Sequence, residues 1–174
     1  MKHKKIIEKI KNGKIFVYPT DTVYGLGCDA NNIKAVEKLK KIKGRDGKKP
    51  LSIIAPSKSW ILENLITTKE RLDKYLPGNY TLILRKKDSK FLTHASNTDT
   101  LGVRIPKHEF TEIIKKAGAP FITTSANLTG EKPASEFSEI TERVIKKADI
   151  LINGGKLSGI PSTIILEDGS EIKR

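Results

Sequence analysis

Short runs of β-forming residues recur along the chain, each cut off by a proline, a glycine or a polar cluster. Ile15-Phe16-Val17-Tyr18 stops at Pro19, Leu51-Ser52-Ile53-Ile54-Ala55 stops at Pro56, and Phe121-Ile122-Thr123-Thr124 runs into a polar tip. Runs this short, rich in branched and aromatic residues, predict buried strands. Between them lie stretches of helical period. Ile6, Ile7 and Ile10 share one side of a first helix that Gly13 terminates. Asn32 can cap a second helix with an apolar stripe of Ile33, Val36, Leu39 and Ile42, closed by Gly44. Residues 57–76 read as one or two helices with Trp60, Ile61 and Leu65 inward, broken by Pro77-Gly78. Strands over 81–85 and 101–105 flank a polar loop at 86–100, and a helix over 108–117 ends at Gly118. A further helix is predicted over 136–147 with Ser135 as its N-cap. Strands over 149–152 and 162–166 follow, then an Asp168-Gly169 turn into a last short strand near Ile172.

Several of these strand pairs have no helix between them. A purely parallel sheet needs a crossover at each step, so the pattern predicts an α/β fold with a twisted mixed parallel/antiparallel sheet and flanking helices. With 174 residues, 37% of them apolar, the chain is expected to form a single domain over residues 1–174. No repeat, low-complexity stretch or linker interrupts it.

Composition narrows the function. Thirty-three basic against 20 acidic side chains give a net charge of +13. Such a charge suits phosphate-bearing partners, nucleic acid included. Four Tyr, five Phe and one Trp are few for a base-stacking platform. The single Cys28 excludes an internal disulfide, and with only His3, His94 and His108 beside it a structural zinc cluster is not expected. The N-terminus alternates charge with isoleucine, unlike a signal peptide, and no apolar stretch approaches the ~20 residues of a membrane span. A cytoplasmic protein without membrane contact is expected, which makes the Asn-x-Thr triplets at Asn79 and Asn127 chance matches. P-loop, H-E-x-x-H, G-x-S-x-G and C-x-x-C patterns are absent. An enzyme of this composition works by positioning and electrostatics.

Three segments could carry such chemistry. Tyr18-Pro19-Thr20-Asp21-Thr22-Val23-Tyr24-Gly25-Leu26-Gly27 puts hydroxyls and a carboxylate at a strand tip, followed by glycines that admit close backbone approach; composition alone favours a plain Pro/Gly turn with threonines satisfying local backbone groups. From Lys38 to Lys49 seven basic residues meet one acid, a local +6. Lys38, Lys40 and Lys41 fit a solvated helix surface, and Lys43 fits a helix C-terminus. Lys43, Arg45 and Lys49, spaced by glycines before a strand, also fit a polyphosphate clamp. Thr123-Thr124-Ser125-Ala126-Asn127-Leu128-Thr129-Gly130 offers hydroxyl and amide donors for phosphate or ribose, or a helix cap. Arg104, between apolar strand residues, needs an anionic partner if it turns inward. Ser162-Thr163 opens a late strand.

Taken in order, PTDTVYGLG, KGRDGKKPL, LGVRIPKH, TTSANLTG and GGKLSGIPST resemble the YrdC-like threonylcarbamoyl-adenylate synthases, from about residue 14 to the C-terminus. The resemblance implies a twisted α/β sheet with a basic concave face. It implies synthesis of threonylcarbamoyl-AMP and pyrophosphate from L-threonine, bicarbonate and ATP with Mg²⁺, for modification of adenosine 37 of tRNA by a downstream transferase. By the same resemblance Thr22, Arg104 and Ser162 hold threonine. Arg45, Lys49, Thr100, Ser125, Asn127 and Arg174 hold ATP, and Lys43 with Arg45 supplies the catalytic charge. Three departures stand out. Asp46 replaces a frequent proline, Ile54 replaces a histidine of some larger members, and the glycine after the arginine at Arg174 is missing. A second C-terminal domain, present in longer members, is not expected. Two rival readings are a non-catalytic RNA-binding module and a carbamoyl-transfer domain of hydrogenase maturation.

Overall fold

The computed structural model describes residues 2–44 and 49–173. Its helices start and stop where local chemistry directs. In α1 (Lys2–Lys11) the isoleucine side packs toward α5 (Glu109–Ala117). In α2 (Ile33–Lys43) the Asn32 side chain accepts from the Ala35 N–H, and Gly44 ends the helix at φ +60°, its N–H returning to the carbonyls of Lys40 and Lys41. Gly118 closes α5 in the same left-handed conformation.

Among the described residues ten strands form one sheet. They are β1 (Phe16–Tyr18), β2 (Gly25–Gly27), β3 (Ser52–Ile54), β4 (Leu65–Ile66), β5 (Tyr80–Lys86), β6 (Thr100–Arg104), β7 (Phe121–Ser125), β8 (Ile150–Leu151), β9 (Thr163–Ile165) and β10 (Glu171–Ile172). The order is β10-β9-β5-β6-β3-β7-β2-β1-β8, with β4 also paired to β5. The pairs β1/β8, β3/β6 and β5/β9 are parallel and the rest antiparallel, so the sheet is mixed as expected.

The two-residue period of the strands divides their side chains between two faces. Val17, Leu26, Ile53, Leu82, Leu84, Leu101, Val103 and Ile122 point into the larger core, shared with α2, α3 (Lys58–Asn64) and α4 (Lys69–Tyr75). The opposite face is covered over half its area. There Phe16, Tyr18, Ile54 and Phe121 meet Ile10 of α1 and Phe110, Ile113 and Ile114 of α5. Over the other half the inward positions are Ser52, Thr81, Gly102, Thr123 and Ser125, and no helix covers them among the described residues.

Three local expectations are corrected and one is refined. Ile33 is 59% exposed: as the first residue of α2 it lies past the edge of the core, and the stripe begins with Val36. Residues 57–76 do hold two helices with Leu65 inward, the refinement being that Leu65 turns inward from the short β4 between them. Residues 136–147 hold a 3₁₀ turn (Phe137–Glu139) and then α6 (Glu142–Lys147). Ser135 is not a cap acceptor; its N–H and hydroxyl donate to the Glu139 carboxylate at 2.7 and 2.9 Å, which closes the short turn before a longer helix can form. Finally, Gly25-Leu26-Gly27 is a central strand. A Cβ on Gly25 would lie 2.6 Å from the Tyr18 ring, and one on Gly27 2.2 Å from the Ile122 carbonyl oxygen, so the glycines are there for neighbouring strands.

Candidate active site

The uncovered half of the sheet face forms the floor of a cavity of about 380 Å³. Strand ends supply its walls: Thr20, Thr22 and Tyr24 from the β1–β2 connection, Arg104 from the end of β6, and Pro161 and Ser162 from the segment before β9. Ser52, Thr81, Thr123 and Ser125 line the floor. Among the described lining residues Arg104 is the one charged side chain. The described wall is therefore hydroxyl-rich.

Arg104 is 6% exposed. Its Nη2 donates to Asp21 Oδ1 at 2.6 Å, and the other Asp21 oxygen accepts the Lys107 N–H at 2.9 Å. This is the anionic partner that an inward strand arginine requires, and it was available in the sequence two residues after Pro19. Burial lowers the Arg104 pKa, while the Asp21 charge works the other way and keeps the cation favoured. Arg104 Nε is buried without a hydrogen-bond partner. A buried unpaired donor is costly, so Nε is an unsatisfied edge of a guanidinium whose residue lines the cavity.

Thr22 beside it has a defined polarity. Thr20 donates its hydroxyl to the Val23 carbonyl at 2.8 Å, so in its 2.9 Å contact with Thr22 it can only accept. Thr22 thus spends its proton on Thr20. Its oxygen takes long contacts from Arg104 at 3.4 and 3.5 Å and keeps acceptor capacity toward the cavity.

The segment carrying Ser162 is tied to the same tip. The Tyr24 hydroxyl donates to the Gly155 carbonyl at 2.7 Å and accepts the Gly154 N–H at 2.9 Å. The Gly159 N–H and the Ser158 hydroxyl both reach the Thr22 carbonyl at 3.0 Å. Ser162 Oγ then meets Thr81 Oγ1 at 2.8 Å at the far wall. Thr22, Arg104 and Ser162, expected together from the sequence, do line one cavity. Asp21, Tyr24 and Thr81, which hold them, were not singled out as site residues. For Asp21 the signal was present; for Thr81 there was none.

The residues expected on the nucleotide side are distributed differently. Ser125 lines the cavity. Asn127 is buried behind it and is joined to Ser125 by a short hydrogen bond. Lys43 is the last residue of α2, not part of the connecting loop, and is 3% exposed. Its Nζ donates to the Ser125 carbonyl at 2.7 Å and to Asn127 Oδ1 at 2.9 Å, bracing the turn after β7. Lys49 is exposed next to Pro50, which lines the cavity. Thr100 opens β6, its Oγ1 lying 3.2 Å from Thr98 Oγ1, and is not among the lining residues. Arg45 and Arg174 lie outside the described residues, as does Asp46. Ile54, which replaces a histidine of larger relatives, is 1% exposed and belongs to the covered half of the face.

Known proteins agree with this architecture. A family model described as telomere recombination, Sua5/YciO/YrdC, matches residues 8–173. A Methanocaldococcus jannaschii protein provisionally named threonylcarbamoyl-AMP synthase is 40% identical, the match covering 95% of this chain and 82% of that one. The threonylcarbamoyl-AMP synthase of Idiomarina loihiensis is 37% identical over 83% of this chain and 81% of its own. The crystal structure of P. abyssi Sua5 complexed with L-threonine superposes with a TM-score of 0.85 at 29% identity, covering 96% of this chain. This chain spans about half, 51%, of that protein's length. With nearly its whole described length matched in both sequence and sheet, this chain belongs to the Sua5/YciO/YrdC family.

Proposed function

We propose that this protein is a threonylcarbamoyl-AMP synthase, converting L-threonine, bicarbonate and ATP into threonylcarbamoyl-AMP, pyrophosphate and water. The observation that carries this reading is the buried Arg104, pinned by Asp21 and lining one cavity with the hydroxyls of Thr22 and Ser162. A carboxylate on the Arg104 fork, with a neighbouring ammonium or hydroxyl donating to Thr22 and Ser162, describes an amino acid with a side-chain hydroxyl.

In this reaction the threonine nitrogen forms a bond to the bicarbonate carbon, and water leaves. An oxygen of the resulting N-carboxylate attacks the α-phosphorus. The new O–P bond forms as the bond to the bridging α–β oxygen breaks, and pyrophosphate carries that electron pair away. Nucleophile and electrophile are both anionic, so rate comes from holding them in line and from fixed positive charge. Lys43, Arg45 and Lys49 are assigned to the phosphates, and Ser125, Asn127, Thr100 and Arg174 to the rest of the nucleotide. The placement of Lys43, Ser125 and Asn127 in one braced turn at the cavity edge supports this assignment. The described residues contain no group of three or more His, Cys, Asp or Glu able to hold a metal. Mg²⁺ is accordingly assigned to the triphosphate, as part of the nucleotide substrate. The mixed anhydride produced is an activated acyl donor. Its consumer is a cytoplasmic transferase that passes the threonylcarbamoyl group to adenosine 37 of tRNA.

Pyrophosphate release should require both threonine and bicarbonate, and the product should have the mass of threonylcarbamoyl-AMP. Pyrophosphate at background level with all three substrates and Mg²⁺ would overturn the proposal.

A further inference from the structure

Two hydroxyl pairs in the cavity wall point their protons in opposite directions. Thr22 gives its proton to Thr20 and presents a lone pair. Thr123 receives a proton instead, from the Tyr18 phenol at 2.6 Å. The Tyr18 ring is fully buried, stacked on Phe110 with centroids 4.3 Å apart and edge-on to Phe121 at 5.5 Å. It crosses the bare Cα of Gly25 to reach Thr123. Among the described residues Thr123 is the phenol's one hydrogen-bond partner. Were Thr123 the donor, the phenol proton would be stranded among phenylalanine rings, an unfavourable arrangement. Burial also raises the phenol pKa well above its ordinary range, so the proton stays on Tyr18 at any working pH. The Thr123 oxygen is thereby committed as acceptor to Tyr18, and its own proton is directed to the cavity it lines.

Thr123 sits where the two halves of the reaction meet. It stands opposite Ser52 of β3, whose side chain lies over Gly102 of β6, two residues before Arg104. On its own strand it precedes Ser125 by two residues, roughly 7 Å. Arg104 is assigned to the amino acid and Ser125 to the nucleotide, so Thr123 lies between them. The acceptor that gains charge at that junction, as the carbamate oxygen attacks, is a non-bridging oxygen of the α-phosphoryl group. A donor whose direction is already fixed stabilises that charge without reorganising.

We propose that Thr123 is a further catalytic residue that donates a hydrogen bond to a non-bridging α-phosphoryl oxygen, and that Tyr18 is the positioning residue that fixes its polarity. The assignment rests on the synthase reading above. Its test is steady-state pyrophosphate release, with thermal melting, for wild type, Tyr18→Phe, Thr123→Val, Thr123→Ser and the Tyr18→Phe/Thr123→Val double variant. Thr123→Val should lower kcat about 10- to 100-fold, the scale of one hydrogen bond to a charged group, and Tyr18→Phe about 5- to 10-fold. KM for threonine should stay within about twofold, because the contact tightens in the transition state. Thr123→Ser should keep most of the activity. In the Thr123→Val background Tyr18→Phe should change kcat less than about twofold, since its effect passes through Thr123.

A Tyr18→Phe loss that persists in full in that background would make Tyr18 merely structural and overturn its positioning role. Wild-type kcat in Thr123→Val, or a loss confined to KM for threonine, would overturn the catalytic role. If Tyr18→Phe does not fold, the Thr123→Val and Thr123→Ser pair decides alone. A wild type that releases no threonine- and bicarbonate-dependent pyrophosphate fails the synthase reading itself, whereas an active wild type with an indifferent Thr123→Val fails only this assignment.

Discussion

The two halves of one sheet face share strands, register and twist, yet one is core and the other is cavity. On β3 the inward residues are Ile54 and Ser52; on β7 they are Phe121 and then Thr123 and Ser125. The strands cross both halves without a break, so backbone geometry does not distinguish them. Side-chain chemistry does. Aromatic and aliphatic residues under α1 and α5 remove apolar surface from water and stabilise the fold. Hydroxyls over the open half keep surface wet and use part of their hydrogen-bonding capacity on neighbours, which sets the direction of what they present to the cavity. The covered half thus acts as a rigid anchor, and the phenol of Tyr18 is where it reaches into the open half.

Substitutions that act on one half and spare the other put this division to the test. The largest contrast is expected on β3. Ile54→Ala should cost about 2–5 kcal/mol of stability, as a buried methyl-rich side chain is replaced by a cavity. Ser52→Ala, two residues away on the same strand and face, should stay within about 0.5 kcal/mol. Chemical denaturation of both variants checks this, and equal losses would mean that the open half is structural core as well. Next comes the ion pair at the rim. Asp21→Ala leaves Arg104 buried without its partner, and breaking such a pair costs about 3 kcal/mol at the lower end of the known range. Because Arg104 also faces the substrate, KM for threonine should rise along with the loss in melting temperature. A variant destabilised with an unchanged KM would separate Arg104 from the amino-acid site.

The helices were legible because their ends are local events. Asn32, Gly44 and Gly118 act within four residues of themselves and behave as expected. The mixed sheet was legible from strand spacing alone. What escaped the sequence is what depends on distant partners. β2 was hidden because its glycines answer to the Tyr18 ring and the Ile122 carbonyl, not to a turn. Lys43 resembled a loop cation because the residues it braces are more than 80 positions away. Of the site, Thr22, Arg104 and Ser162 were named through resemblance and do line one cavity, while the groups that orient them were missed. Tyr18 and Thr81 look like ordinary strand residues until the register places their hydroxyls against Thr123 and Ser162.

The edge of the open half gives a smaller expected effect. Lys43→Met keeps the length of the stem but removes the donor that braces Ser125 and Asn127. KM for ATP should rise about 10-fold, the scale of one charge-assisted hydrogen bond, with KM for threonine little changed. Parallel rises in both constants would show that the turn supports the whole cavity and not its nucleotide side alone.

The smallest effect is expected far from both halves, where Asp73 of α4 bridges Lys58 of α3 and Lys69 at 2.6 Å each. Hydrogen bonds from Lys58 and then Lys69 hold its carboxyl down to about 2. The folded value lies below the roughly 3.9 of an unperturbed aspartate. The pair therefore contributes stability that is fully present above that unfolded value and is lost as pH falls through about 2. The group is exposed, so solvent and salt screen the effect and only a slight change in melting temperature is expected. Asp73→Asn removes the titration, so its melting temperature should fall less than that of wild type between pH 5 and pH 2, as measured by circular dichroism at low salt. The gap between the two curves should narrow in about 1 M salt, where the Debye length shrinks to about 3 Å. Identical pH dependence in the two proteins at low salt would show that the α3–α4 bridge contributes nothing. It would leave the covered half of the sheet face and the larger core behind it as the source of stability.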